Sequence, residues 1–308
     1  MESRNCTTVH HLNRNNTTGV VFFVIYVIVT TTIAVFGNLL VSAAIFWKRE
    51  IKEGKPMKER KLPKTRNILI LNLSLVDILM GIILTIWIIL QDITTCMLTF
   101  SLCFTSTSIH LAIALDRFYR IFYFPRNVDL NTERRTLYAI SVALWIVPMT
   151  MFVTLLLVDR DVYRVVTYTL SPIISLVVVN ATAVLYTLIF RKVRKHEENM
   201  TAALGRKKFE KTKLILKAYV GLVIADAVCW LPWIVESLHI YSSQYAGLPE
   251  EERCLETTTV YFFAFCLGLL NASTNAIIYW KTLPDINKGV AQIIRTIISC
   301  CRSIHDDA

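Results

Sequence analysis

Asp77 is the first residue to consider, because it is an acid inside a long apolar run. No other charged residue occurs in the run 67–91 that contains it. An ionised carboxylate in the middle of a bilayer costs at least a few kcal/mol unless it is paired or hydrated. Other apolar runs carry oxygen-bearing side chains that could pair with it, namely Asn38, Ser106, Asn271 and Asn275. The residue types therefore predict a buried polar network around one acid, in which Asp77 is either ionised and paired or protonated.

The pair Asp116-Arg117 comes directly after another apolar run, 93–115. A guanidinium at such a boundary can pair with the neighbouring carboxylate in one state. In another state it can swing toward the backbone carbonyls of a bound protein. A cation with two positions is suited to a switch. The alternative is an ordinary ion pair at a helix end, which would contribute little to stability.

The composition shows which kind of element must position these residues. The 308-residue chain is 54% hydrophobic and only 18% charged, with a mean hydropathy of +0.50. Average soluble proteins carry about 25% charged residues, so this composition argues against a soluble enzyme. The net charge of +10 could indicate nucleic-acid binding. However, the charges are confined to short segments between apolar runs, which is typical of a multi-span membrane protein that binds no nucleic acid.

Seven apolar runs are long enough to cross the membrane as helices, which takes about 20 residues each. They are 19–47, 67–91, 93–115, 137–158, 165–190, 214–238 and 257–280. We expect an all-α fold, a seven-transmembrane helix bundle with a short amphipathic cytoplasmic helix. The domain boundaries predicted are 1–18 for an extracellular N-terminus, 19–280 for the membrane domain and 281–308 for the cytoplasmic helix and tail.

The basic residues predict the orientation. Alternate segments on one face, 48–66, 116–136, 191–217 and 281–308, hold 28 of the 33 Lys and Arg residues. Because basic loops remain in the cytoplasm, the N-terminus is predicted to be extracellular and the protein to be a multi-pass protein of the plasma membrane. Glycosylation sequons at Asn5, Asn15 and Asn16 fall on the predicted outer side.

The cysteines divide between the two faces. Cys6, Cys96 and Cys254 are predicted on or near the oxidising side, so at most one disulfide can form, and we expect Cys6–Cys254. Cys300 and Cys301 follow an amphipathic segment, 286–298, whose apolar residues share one helical face. Palmitoylation of these two cysteines would hold such a helix on the inner leaflet, and a loose basic tail is the alternative.

Short motifs occur in order within the apolar runs. They are Gly37-Asn38, Leu71-Asn72-Leu73-Ser74-Leu75-Val76-Asp77, Asp116-Arg117-Phe118, Trp145, Tyr186-x-x-Ile189, Cys229-Trp230-Leu231-Pro232, and Asn271 with Asn275-Ala276-Ile277-Ile278-Tyr279. Along nearly its whole length the chain thus resembles the rhodopsin-like (class A) G protein-coupled receptors. That family's motifs include Asp-Arg-Tyr, Cys-Trp-x-Pro and Asn-Pro-x-x-Tyr. The subfamily is not identified, because there are only faint similarities to adenosine-type and melanocortin-type receptors.

The resemblance implies a role for each group. Asp77 with Asn38, Ser106, Asn271 and Asn275 would bind an allosteric sodium ion, the only metal or cofactor expected. Asp116, Arg117, Tyr186, Trp230, Pro232 and Tyr279 would form the activation switch and couple to a heterotrimeric G protein. Pro232 would kink its helix and create a hinge. Alternatively Trp230 packs beside an incidental proline, and the two tyrosines are interfacial aromatics.

Departures from the family pattern carry further expectations. Ala276 replaces the proline of the last motif, so that helix is expected to be straighter. Thr212 and Lys213 stand where some relatives have an acid, so the inactive state is expected to be weakly locked and basal activity high. Asp226 occupies a place usually held by Phe. It could join the Asp77 network or act as a protonation switch, or it could be a neutral acid bonded to a backbone carbonyl.

The leading hypothesis is a receptor for an unknown extracellular ligand. Its ligand-binding residues are predicted to be Thr99, Trp230, Trp233, Glu236, His239 and Tyr261. Basic inner loops at 48–66 and 191–213 would meet the G protein and membrane lipids. The alternative is a seven-span transporter or channel, which is disfavoured because no inverted repeat and no chain of ionisable residues along several spans is found. An enzyme is not expected, because the spans show no histidine cluster or nucleophile–base arrangement.

Overall fold

The structure is a computed structural model. It describes residues 17–51, 65–90, 93–123, 130–157, 162, 165–198, 203–245 and 250–306. These ranges contain helices and no β-strand. The predicted extracellular segment with Asn5, Cys6, Asn15 and Asn16 lies outside the described residues, as does the side chain of Cys254.

The helices follow the apolar runs in order. α1 consists of Thr17–Thr32, a π-helical turn Ile33–Gly37 and Asn38–Ile51. It is followed by α2 (Thr65–Leu90), α3 (Ile93–Phe122) and α4 (Leu130–Leu156). α5 (Ser171–Glu198) continues a π-helical turn, Val166–Leu170. The last three are α6 (Ala203–Tyr245), α7 (Glu250–Thr282) and α8 (Pro284–Asp306).

Within the described ranges, five of these helices are long and apolar enough to span a membrane. Their apolar stretches are Val21–Phe46, Asn67–Leu90, Thr94–Phe122, Ser171–Lys195 and Leu216–His239. A shorter apolar stretch, Arg135–Met151, lies in α4. The predicted seventh run, 257–280, lies within α7.

One predicted loop is mostly helical. The basic segment 191–213 was expected to be an inner loop, yet α5 continues to Glu198 and α6 begins at Ala203. Lys, Arg and Glu are good helix formers, so they extend a helix beyond its apolar stretch at little cost. The prediction of a loop was therefore wrong for most of this segment, because hydropathy marks where the membrane ends and not where the helix ends.

α3 is the central helix. In an apolar 18-residue segment of α3, 67% of the residues are buried, against 22% in the corresponding segment of α5 and 28% in that of α1. Large apolar side chains such as Phe22, Ile146 and Val177 are exposed on the outside of the bundle, while Asn38, Asp77 and other polar side chains are buried inside it. This distribution suits lipid as solvent, because polar groups in a bilayer must find their partners within the protein.

The predicted amphipathic helix is α8, and it packs on α1. Ile286, Val290 and Ile293 are buried, while the remaining predicted apolar positions, Ile294, Ile297 and Ile298, are 37% to 54% exposed. A Cβ atom at Gly289 would lie only 2.8 Å from the Cβ atom and 2.9 Å from the carbonyl oxygen of Ala44. The glycine therefore allows close contact between the two helices. Cys300 and Cys301 are exposed at the far end of α8, free of disulfide bonds.

Candidate functional site

One predicted partner of Asp77 contacts it inside the bundle. Asn275 Nδ2 of α7 donates a 3.0 Å hydrogen bond to Asp77 Oδ2 of α2. Both residues are essentially inaccessible to solvent, as are Asn38, Ser106 and Asn271. The five residues come from α1, α2, α3 and α7, and all of them are buried in the bundle.

Asn38 ties α1 to α7. Its Nδ2 atom donates to the carbonyl oxygen of Ala34 at 2.9 Å and to that of Ala272 at 3.0 Å. The residue directly follows the π-helical turn, a local irregularity that is frequently found at functional sites. Its amide oxygen has no hydrogen-bond partner among the described residues. Asn38 is therefore held in place through its amide nitrogen, which leaves an oxygen available in the interior.

A buried pair that the sequence analysis missed joins α3 to α6. His110 Nδ1 lies 3.6 Å from Asp226 Oδ1, and the two side chains are 5% and 4% exposed. Asp226 Oδ1 also accepts a 3.2 Å hydrogen bond from Asn271 Nδ2 of α7. Its partners are thus side chains of the polar network, not the backbone carbonyl considered as an alternative.

The position of His110 in the sequence contains a usable signal. The residue lies four positions after Ser106 and seven before Arg117. At helical spacing this places all three on the same face of α3. Asp226 lies beside His110 and interacts electrostatically with Asp77, so three ionisable side chains from three helices belong to one polar group. We refer to Asp77, His110, Asp226, Asn271 and Asn275 as the central cluster.

Aromatic rings lie toward the outer side of the central cluster. Trp230 and Trp233 meet edge to face with their ring centroids 6.0 Å apart, and Phe100 of α3 lies 5.6 Å from Trp233. Trp230 also interacts with the Asp226 carboxylate one turn below it. Its ring fits against Gly268 of α7, where a Cβ atom would come within 2.7 Å of the indole. Pro232 lies inside α6, between the two tryptophans.

The switch residues predicted at the cytoplasmic end form a second group. Asp116 pairs with Arg117 at 3.0 Å and with Arg120 at 2.9 Å, all on α3. We refer to these three residues as the inner cluster. The guanidinium carbon of Arg117 also lies 5.7 Å from the ring centre of Tyr219 on α6. Tyr219 was missed by the sequence analysis, and this cation–π contact connects the inner cluster to α6.

Three tyrosines fill the space between the two clusters. Tyr186 of α5 stacks on Tyr219 with ring centroids 6.1 Å apart. Tyr279 of α7 is fully buried, and its hydroxyl has no hydrogen-bond partner among the described residues. The two predicted tyrosines thus line the bundle interior instead of its interface with lipid headgroups.

The motif residues of α2 and α4 hold these helices together. Trp145 Nε1 donates a 3.0 Å hydrogen bond to Asn72 Oδ1, and Asn72 Nδ2 donates to Ser141 Oγ at the same distance. The bonds lie on the side of α2 away from α7. Asn72, Ser141 and Trp145 consequently have a structural role that is separate from the two clusters.

The predicted ligand-binding residues have different surroundings. Thr99 and Trp233 are buried, Glu236 is half-buried and His239 is exposed. The Thr99 hydroxyl donates to the carbonyl oxygen of Thr95, one turn earlier in α3. The side chain of Tyr261 lies outside the described residues. The geometry therefore places Thr99 and Trp233 in the packed interior and leaves Glu236 and His239 nearer the surface.

Comparison with known proteins identifies the family. No curated protein was found to match the chain significantly. The family model described as "7 transmembrane receptor (rhodopsin family)" matches residues 37–279, well over half of the chain. This match covers both clusters and confirms the predicted resemblance and the seven-transmembrane fold. The chain therefore belongs to the rhodopsin family of seven-transmembrane receptors, and it is a G protein-coupled receptor.

Proposed function

We propose that this receptor binds its ligand from the extracellular side, above Trp230, and passes the signal along α3 and α6 to Arg117. The observation that carries the proposal is the series of contacts between these two helices at three depths. Phe100 meets Trp233 near the outer end, His110 meets Asp226 in the middle, and Arg117 meets Tyr219 near the inner end. A rotation or tilt of α6 would change all three contacts together.

The ligand side of the proposal rests on Trp230 and Trp233, with Thr99, Glu236, His239 and Tyr261 as further candidates. A ligand that binds better to one arrangement of the tryptophans shifts the population of receptor states toward it. Because Trp230 is packed against Gly268 and interacts with Asp226, a change at the indole would reach the central cluster directly.

The G-protein side of the proposal rests on Arg117. The guanidinium is only 17% exposed and faces two competing partners, Asp116 and the Tyr219 ring. Movement of α6 would withdraw Tyr219 and free the guanidinium for the bound G protein. Asp116, Tyr186, Pro232 and Tyr279 would assist this movement, and the helical extensions of α5 and α6 beyond the membrane would flank the bound protein.

The predicted sodium ligands have donor atoms that are free to bind the ion. Four of their oxygen atoms, Asn38 Oδ1, Ser106 Oγ, Asn271 Oδ1 and Asn275 Oδ1, are buried without a hydrogen-bond partner among the described residues. Oxygen ligands are what hard cations prefer. Together with the Asp77 carboxylate they would hold the ion, which when bound would neutralise the acid and favour the inactive state.

The location proposed is the plasma membrane with the N-terminus outside, supported by the distribution of basic residues. Glycosylation at Asn5, Asn15 and Asn16 and a Cys6–Cys254 disulfide would then lie on the outer face. Palmitoylation of Cys300 and Cys301 would anchor α8 to the inner leaflet, and the exposure of both thiols supports this.

Nucleotide exchange tests the G-protein part of the proposal. Purified receptor in lipid nanodiscs is mixed with heterotrimeric G proteins of several subtypes, and exchange of bound GDP for labelled GTP is followed. We expect at least one subtype to exchange faster with receptor than without it. No acceleration with any subtype, with or without ligands from a screen, would contradict the proposed coupling.

Sodium is tested separately through thermal unfolding. Unfolding exposes the buried thiols of Cys103, Cys229 and Cys266 to a thiol-reactive fluorophore, with the accessible Cys96, Cys300 and Cys301 replaced by Ser to lower the background. We expect sodium chloride to raise the unfolding midpoint above that in choline chloride at equal ionic strength. The difference should disappear in Asp77→Asn, and a midpoint insensitive to sodium would contradict the ion site.

A further inference from the structure

The contact between His110 and Asp226 connects two helices that otherwise touch sparsely. α6 packs extensively against α7 and α5, but has few close approaches to α3. Besides the aromatic contact near the outer end and the cation–π contact near the inner end, His110–Asp226 links the two helices through polar side chains. It is also the link that involves an ionisable pair in the middle of the membrane.

The surroundings of the pair make separation costly. Asp226 is 3% exposed, and Asp77 lies close enough to interact with it electrostatically. Asp226 is the polar side chain that faces the His110 ring across the two helices. If α6 moved away from α3, the ring nitrogens of His110 would remain buried without this neighbour. Leaving a buried polar group without a partner is unfavourable.

The distance between His110 and Asp226 would allow a closer contact, and His110 has no other hydrogen-bond partner among the described residues. At 3.6 Å the pair is longer than an N–H···O hydrogen bond, which spans about 2.7–3.2 Å. Neither ring nitrogen of His110 has a hydrogen-bond partner among the described residues. The imidazole therefore has Asp226 as its polar neighbour, whether the interaction is an ion pair or a hydrogen bond formed after a small approach.

We infer that His110 and Asp226 form a lock between α3 and α6 that holds the receptor in its inactive arrangement. The lock stands in the centre of the membrane, about 10 Å along α3 from Arg117. It replaces the acid that is missing at the base of α6, where Thr212 and Lys213 occur. The expectation of a weak inactive state applies only to the cytoplasmic end. His110 and Asp226 act as positioning residues, because they set the place of α6 relative to Arg117 without touching the G protein.

This inference rests on the proposed function, in which α6 moves on activation, and basal exchange without ligand tests it. Asp226→Asn keeps an oxygen that can accept from Asn271, so it removes the charge with little change of shape. His110→Leu removes the other partner. We expect each variant to raise basal exchange at least about fivefold, the lower end of typical coupling between sites. Ile224→Ala, on the lipid-facing side of α6, is the control and should leave basal exchange unchanged.

A double variant in which the two side chains are swapped distinguishes loss of the lock from a general loss of packing. The double variant His110→Asp with Asp226→His has the composition of the wild type and restores an acid facing a histidine. We expect its basal exchange to return toward the wild-type value. The lock would be overturned if nucleotide exchange stayed elevated in the double variant. It would also be overturned if nucleotide exchange were unchanged or reduced in both single variants.

A distance measurement gives a readout that does not depend on G-protein coupling. Spin labels at the exposed positions 119 on α3 and 217 on α6, in a background without Cys300 and Cys301, report the separation of the inner halves of the two helices. We expect Asp226→Asn to populate a longer distance and the double variant to reverse it. The distance could lengthen in Asp226→Asn although neither the wild type nor any variant accelerates nucleotide exchange. That result would contradict the proposed G-protein coupling and leave the lock standing. If the variants raise nucleotide exchange but the distance does not change, the lock is overturned.

Discussion

The inner cluster and the central cluster differ in how their charges are satisfied. In the inner cluster, Asp116 pairs with two arginines of its own helix at 2.9 and 3.0 Å, and the side chains are 10% to 22% exposed. In the central cluster the contacts measure 3.0 to 3.6 Å, they join α2, α3, α6 and α7, and several buried polar atoms have no partner among the described residues. Short ion pairs within one helix cannot fix the position of another helix. The looser central cluster therefore determines the arrangement of the bundle, whereas the inner cluster is available to change partners.

Arg117→Ala should have the largest effect, because it removes the group assigned to bind the G protein. We expect exchange to fall to the rate without receptor, both in the wild type and in the Asp226→Asn background. The unfolding midpoint should change little, since the ion pairs of the inner cluster are partly exposed. Intact exchange in a folded Arg117→Ala receptor would contradict the role of the inner cluster.

Asn275→Ala should be the most destabilising of the small polar changes. It removes the hydrogen bond to the buried Asp77 carboxyl group, for which a loss of about 1.5–3 kcal/mol is typical when the acceptor is charged. Asn180→Ala is the matched control, because Asn180 is exposed and its side chain bonds only to the carbonyl oxygen one turn earlier. If the two variants shifted the unfolding midpoint equally, the hydrogen bonds of the central cluster would stabilise the protein no more than those on the lipid-facing surface.

Gly268→Ala tests how tightly Trp230 is packed above the central cluster. The new methyl group would overlap the indole, and overpacking of this kind costs about 1–3 kcal/mol. At Gly221 the same substitution meets only Ile278 at 3.8 Å, an ordinary contact, so it serves as the control. We expect a lower midpoint for Gly268→Ala alone. A stable Gly268→Ala protein would show that the tryptophan is free to move, and that its coupling to Asp226 is loose.

Asp116→Asn should have the smallest effect on stability, although it breaks the two shortest ion pairs. Partly exposed pairs contribute about 0–1 kcal/mol, so the thermal unfolding midpoint should remain close to that of the wild type. Asp226→Asn, measured in the same way, should shift the midpoint more. The reverse order would mean that the inner cluster, and not the central cluster, holds the bundle together.

The sequence predicted some residues of the site and missed others. Asn275 was correctly expected to contact Asp77 because the family resemblance pointed to it. The need of a buried carboxylate for polar partners does not select among the many oxygen-bearing side chains of the other runs. His110 and Tyr219 were missed, although both lie at helical spacing from residues that were found. A single histidine or tyrosine in a helix has no pattern of its own, and its role depends on the side chain that faces it from another helix.

The sequence by itself determined that the chain crosses the membrane, where its apolar stretches run and which polar residues lie inside them. These properties follow from local hydropathy and from the cost of burying a charge, which act wherever a residue lies along the chain. Only the tertiary structure decided that Asp226 faces His110, that Arg117 lies beside Tyr219 and that Trp230 fits against Gly268. Such contacts depend on the rotation and depth of one helix relative to another, which are set by packing over the whole bundle.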